Sequence, residues 1–317
     1  MFDVFGVMAL ALLIAGFTWL AFRARRVKRA LVKWAGLGLA GLLAVACSAA
    51  LVVALTGFYK LSHSPYHYTV SDIKVAGTPE QLARGARFLG FCAMCHSPSG
   101  KPPLEGQNFS EGGPPIGTLY APNLTPAGEI KDWSDGEIIR AIREGVHRSG
   151  RPLLIMPSEF FRNLSDADVQ AIVAALRAQP ATSAVSPSTR LNVLGALFIG
   201  AGMFPTTAQK PITAPIVAPA EGATADYGQY LVSFLGCRLC HGENLTGGTP
   251  GKEFPPAGPD LPHIVSRWSE EGFIRTFRTG VDPVQHTLTK AMPWEMYSGF
   301  ASDDDLRAIH AYLASRQ

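Results

Sequence analysis

Cys92, Cys95 and His96, in "FCAMCH", and Cys237, Cys240 and His241, in "GCRLCH", repeat one C-x-x-C-H spacing. Two thiols so placed can hold a zinc ion, cycle as a disulfide, or form thioethers with the two vinyl groups of a haem edge. The adjacent histidine is what the third chemistry needs, because it can swing beneath the porphyrin and ligate iron. With 5 Cys and 8 His in 317 residues, chance would supply only about 0.002 copies of the motif. A structural zinc draws four ligands from paired motifs, yet each copy offers one pair and its next histidine is not placed alike in the other. A redox dithiol of the thioredoxin type wants a βαβ context, and none is visible. Covalent haem attachment is therefore the expected chemistry, with two haem c groups.

The sixth iron position separates electron transfer from small-molecule chemistry. A thioether closes the iron and raises its reduction potential. Met156 lies 11 residues after Gly145, Met292 lies 12 after Gly280, and both precede proline. They are the expected axial partners of His96 and His241, with Met296 in reserve for the second site.

These residues sit in a duplicated frame. "WSDGEIIRAIREGVH" at 133–147 answers "WSEEGFIRTFRTGVD" at 268–282, and "MPSEFFRNLSDADVQAIVAALRA" answers "MPWEMYSGFASDDDLRAIHAYLAS". Three blocks in one order make a tandem repeat. In each copy the pattern predicts a helix ending in the cysteine motif (79–95 and 226–240), a second capped by Ser134 or Ser269 and stopped at Gly145 or Gly280, and a third capped by Ser165 or Ser302. Arg140, Arg143, Arg275 and Arg278 read as an amphipathic helix face or as partners for haem propionates. His147, His263 and His286 have no counterparts across the repeat and read as surface or loop residues.

Ahead of the repeat, residues 4–22 and 34–58 carry no charge and are each long enough to span a bilayer. The loop 23–33 between them holds Arg23, Arg25, Arg26, Lys28, Arg29 and Lys33 without an acid, which predicts a cytoplasmic loop and places the chain beyond the second span on the outer side. Basic residues after the first apolar run, rather than before it, oppose a cleaved signal peptide. The charged fraction of 17% suits partial membrane residence. Setting the basic loop aside leaves a near-neutral remainder, which offers nothing to a nucleic acid. Cys47, inside the second span, reads as a structural thiol.

The division expected is a transmembrane hairpin (1–58), a first haem domain (71–180), a linker (181–224) and a second haem domain (225–317). Within the linker, the apolar stretch 191–204 is short for a span and reads as a helix docked on a domain or partner.

At "GTLYAPNLTP", "DWSDGEIIRAIREGV", "YGQYLVSFLGCRLCH" and "MPWEMYSGFASDDDLRAIHAYL" the chain resembles the class I c-type cytochromes, and among them the cytochrome c subunits of bacterial membrane alcohol and aldehyde dehydrogenases. The resemblance implies an all-α fold, with the cytochrome c unit present twice after the hairpin. It also implies that His96, Met156, His241 and Met292 are the axial ligands and that Cys92, Cys95, Cys237 and Cys240 bind haem. A two-helix anchor followed by two haem domains instead resembles the dihaem subunit of high-affinity haem-copper oxidases. The function expected is single-electron transfer on the periplasmic side of a bacterial inner membrane, between a quinol-oxidising or dehydrogenase complex and an acceptor such as a terminal oxidase or a soluble redox protein. Two other classes stay open: an obligate subunit of a dehydrogenase or oxidase complex, and a dihaem peroxidase.

Overall fold

The structure is a computed structural model that describes residues 3–111, 113, 115–204, 206–250 and 256–316. Two long helices, α1 (Val4–Ala24) and α2 (Ala30–Ser62), pack as an N-terminal hairpin, and both are long and apolar enough to cross a membrane. The turn between them is shorter than the loop expected, because the helices run on through flanking basic residues.

The first repeat contains α3 (Pro79–His96), α4 (Asp135–Glu144), α5 (Ser158–Phe161) and α6 (Asp166–Ala178). The linker contributes α7 (Val193–Gly200). The second repeat contains α8 (Ala225–Phe234), α9 (Cys237–His241), α10 (Leu261–Val265), α11 (Glu270–Thr279), α12 (Trp294–Phe300) and α13 (Asp303–Ala314). Strand is limited, among the described residues, to two-residue pieces: β1 (Gln107–Asn108) pairs with β3 (Tyr120–Ala121), and β2 (Gly117–Thr118) pairs with β4 (Arg190–Leu191).

Local chemistry sets the helix ends. Ser134 accepts from the Glu137 amide at 3.2 Å, with Glu137 reaching back in a capping box, and Ser269 accepts from the Gly272 amide at 3.1 Å. Gly145 and Gly280 stop those helices at φ of 68° and 70°, a region costly for a side chain with a Cβ. Ser165 and Ser302 cap α6 and α13 in the same way.

Matched crossings then build each core. The motif-bearing helix packs on the last helix of its own repeat, α3 on α6 and α8 on α13. A Cβ on Gly85 would stand 1.9 Å from the Ala171 carbonyl, and one on Gly228 would stand 1.9 Å from the Ala308 carbonyl. Only glycine permits these backbones to touch.

The two repeats differ where they approach the cysteines. α3 is unbroken to His96, but the second copy has two extra residues between its crossing glycine and its first cysteine. The expected continuous helix 226–240 is consequently divided: α8 ends at Phe234, Gly236 turns at φ 76°, and α9 starts afresh at Cys237.

The repeats share one hydrophobic core. Phe88 of α3 meets Phe300 of α12 with ring centroids 5.2 Å apart and Phe234 of α8 at 5.9 Å, while Phe91 lies 6.4 Å from Phe300.

The helix expected within 191–204 docks chiefly on the N-terminal hairpin, while its N-cap residue also meets the first repeat, Asn192 N donating to the Ile116 carbonyl at 2.9 Å. α7 crosses α2 so closely that a Cβ on Gly57 would lie 1.8 Å from the Ala196 carbonyl, and Ala54, Phe58 and Ala196 form a separate buried cluster. Asp3 ties the starts of two helices together, one carboxylate oxygen accepting from Gly6 N at 3.0 Å and the other from Val193 N at 2.9 Å. Cys47 is half-buried in α2.

Candidate functional site

In the first repeat, Cys92 and Cys95 occupy the last turns of α3 and His96 is its final residue. His96 is 9% exposed and its Nδ1 lies 2.9 Å from the Pro122 carbonyl. A carbonyl only accepts, so Nδ1 carries the proton and Nε2 is left with its lone pair. Burial lowers the His96 pKa against the opposing pull of that hydrogen bond, which keeps the ring neutral at neutral pH.

The second repeat reproduces this arrangement. His241 is 7% exposed, its Nδ1 lies 2.8 Å from the Pro259 carbonyl, and burial again lowers its pKa. A neutral imidazole oriented by a carbonyl is the form that ligates a metal.

The methionines share a local frame too. Leu153 N donates to Gly145 O at 2.7 Å and Leu288 N donates to Gly280 O at 2.8 Å, closing equivalent turns after α4 and α11. Past each methionine, Ser158 N donates to Met156 O and Trp294 N to Met292 O, both at 2.8 Å. The extra residue in the second turn is thus absorbed before Met292. In the first copy Ile155 sits at φ 64°, an unusual conformation for a β-branched residue and a local strain directly ahead of Met156.

Cys95, His96 and Met156 line one cavity of about 180 Å3, walled by apolar side chains that include Leu124, Ile130, Ile138, Ile142 and Leu176. Cys92 packs against the core beside it. Burial pushes the Cys92 thiol up to about 12 and the Cys237 thiol up to about 11. Among the described residues no three His, Cys, Asp or Glu side chains converge as a metal cage. A neutral imidazole, a thioether and a thiol around an apolar cavity fit haem c.

The cavity has a polar rim that sequence reading missed. His147 lines it, donating from Nε2 to Glu129 at 2.9 Å and standing edge-on to Trp133 at 4.8 Å; Arg151 lines it as well. The His147 contact holds the Glu129 carboxyl below its ordinary range. Lacking a counterpart in the other copy, His147 gave no repeat signal. α4 divides its residues between two sides: Ile138, Ala141 and Ile142 face this cavity, whereas Arg140 and Arg143 line a different cleft and are not placed for propionates here.

The sequence profile of the family described as cytochrome c matches residues 82–179 and 225–317. One subunit of the nicotinate dehydrogenase of Pseudomonas putida is 32% identical over 265 residues, which is 74% of this chain and 21% of that protein. The gluconate 2-dehydrogenase cytochrome c subunit of Pantoea cypripedii is 29% identical over 280 residues, 74% of this chain and 58% of that one. The cytochrome c subunit of the quinone alcohol dehydrogenase of Gluconobacter oxydans is 27% identical over 311 residues, 83% and 59% respectively. The chain thus spans between 21% and 59% of the length of these curated relatives. With both repeats matched and the fold and donor groups in agreement, the chain belongs to the cytochrome c family, binds haem c and works by electron transfer.

Proposed function

We propose that the chain is a membrane-anchored dihaem cytochrome carrying single electrons from a membrane dehydrogenase or quinol-oxidising complex to a downstream acceptor. His96 with Met156, and His241 with Met292, are the axial pairs; Cys92 with Cys95, and Cys237 with Cys240, are the thioether positions. Bound there, haem c supplies a one-electron Fe(II)/Fe(III) couple. The chain's own part is to keep each imidazole neutral and oriented, to offer a thioether from a fixed turn, and to wall the first site with apolar groups that limit water. The observation that carries this reading is the paired histidine-to-proline-carbonyl bond, at 2.9 and 2.8 Å in the two repeats.

In the same proposal the hairpin spans the inner membrane twice, its basic loop is cytoplasmic, and both repeats face the periplasm. The relatives named as cytochrome subunits of gluconate, alcohol and fructose dehydrogenases favour a dehydrogenase as the electron donor.

The test is a redox titration of the full chain in detergent with optical spectra, alongside the mass of the denatured polypeptide. Two covalent haems, both low-spin and both with the methionine-to-iron band, are expected; any other haem count sinks the proposal. Purification in a gentle detergent tests the partner, since a dehydrogenase should travel with the chain in fixed stoichiometry.

A further inference from the structure

On the other side of α4 from the Met156 cavity lies a cleft of about 350 Å3. Its walls include Ser71 and Ile73 from the stretch after the hairpin, Arg140 and Arg143 of α4, Asp166 of α6, and Thr213 of the linker. The Arg143 side chain is 6% exposed. Its Nη1 donates to Asp166 at 2.6 Å, but its Nε and Nη2 are buried without a partner. Arg140 donates from Nη2 to the His147 carbonyl at 3.0 Å, and its buried Nε is also unpartnered. Leaving charged donors buried and unmatched is costly, so these three nitrogens call for acceptors.

The duplication provides an internal control. Arg278 stands in α11 where Arg143 stands in α4, and Asp303 answers Asp166. There the Nε and Nη2 of Arg278 both donate to Asp303, at 3.1 and 2.7 Å, and its remaining hydrogens reach Ser298 and Ala301. The guanidinium edge that a carboxylate occupies in the second repeat is the edge left bare in the first. It is bare on the more buried arginine, at 6% against 31% exposure.

We propose that this cleft is an oxyanion site, in which a carboxylate or phosphate group takes Nε and Nη2 of Arg143 in a bidentate pair, with Arg140 Nε as a further donor. The acids that also border the cleft are already engaged: Asp166 on Arg143 Nη1, and Glu144 accepting from Ile212 N at 2.8 Å. Burial raises the Glu144 pKa. The ligand is either a small soluble anion or a phospholipid headgroup, because one wall follows directly from the membrane hairpin.

Isothermal titration calorimetry on the haem-loaded full chain tests this, using inorganic phosphate and acetate in a neutral detergent. The phosphate titration is repeated in nanodiscs of phosphatidylcholine with and without phosphatidylglycerol. Saturable binding that persists in nanodiscs containing phosphatidylglycerol assigns a soluble anion; phosphate binding abolished only by phosphatidylglycerol assigns the headgroup. In either case Arg143→Gln should lower affinity at least tenfold, Arg143→Lys should do likewise because it lacks the fork, and Arg278→Gln should leave affinity unchanged. Unaltered haem spectra in the Arg143 variants guard against misfolding. Absence of saturable binding in every arm, or an unchanged affinity in Arg143→Gln, overturns the proposal and leaves a cleft filled by water.

Discussion

Tyr230, on the first helix of the second repeat, donates its phenolic hydrogen to the fully buried carboxylate of Asp168 in the first repeat. The same carboxylate pairs with Arg84 on the motif-bearing helix of its own repeat, and the Tyr230 oxygen accepts from Ser165 N at 2.9 Å. Arg87 of α3 reaches across to Asp305 of α13 as a second tie. Polar links between buried groups, added to the shared phenylalanine cluster, join the two repeats into one body.

Tyr230→Phe should therefore loosen the join without touching either histidine. It removes a hydrogen bond to a buried charge and an acceptor for Ser165 N, a loss of about 1.5–3 kcal/mol. Guanidinium titrations followed by far-ultraviolet circular dichroism and by haem absorbance should coincide in the parent and fall at lower denaturant in the variant. An unchanged midpoint would show that water replaces the phenol at no cost.

Much of this was legible in the sequence because caps, stops and ligand spacing are local chemistry. Ser134, Ser165, Ser269 and Ser302 cap where expected, and the repeat made Met156 and Met292 stand out from the other methionines. Long-range relations were harder to read. α7 is apolar on all sides, so its sequence does not say which surface it meets, and its partner α2 is more than a hundred residues away. His147 joined the cavity through Glu129, 18 residues earlier on a loop with no periodic signal. Gly236 read as part of an amphipathic run because one left-handed residue leaves no mark on hydrophobic periodicity.

The crossing of α7 on α2 gives a second prediction. Gly57→Leu places a side chain where the Ala196 carbonyl already lies, since even a Cβ would approach to 1.8 Å. Overpacking of this kind costs about 1–3 kcal/mol. α7 should detach before the repeats unfold, and limited proteolysis in detergent should cut within 191–204 at least several-fold faster. Haem spectra should not change.

Glu129 sets a pH dependence. Its carboxyl is held below the usual carboxylate range, first by the hydrogen bond from His147 and against the effect of burial. A group depressed in the folded state contributes stability above its unfolded pKa and loses it as pH falls through the folded value. Glu129→Gln should therefore be less stable than the parent at pH 7, and the difference should shrink below about pH 4.5, the ordinary glutamate range. Denaturant midpoints at pH 7, 4.5 and 3 measure it; a difference that stays constant with pH would assign the effect to packing instead.

The break between α8 and α9 yields the last prediction, and it separates the two sites. In the first repeat α3 carries Cys92 to His96 on the same rigid helix that crosses α6 through Gly85. In the second, the crossing at Gly228 and the cysteine motif lie on different helices, and the hinge is Gly236 at φ 76°. The space around it is ordinary, since a Cβ there would lie 3.7 Å from the Phe160 ring. Gly236→Ala therefore introduces backbone strain without a clash, on the order of 1–2 kcal/mol. That strain falls between Phe234 and Cys237, next to His241, while α3 is untouched. A redox titration should show one haem displaced or broadened and the other superimposable on the parent, whereas Gly90→Ala in α3, which meets open space, should leave both unchanged. Equal disturbance of both haems by Gly236→Ala would mean that the shared core, and not the hinge, governs the second site.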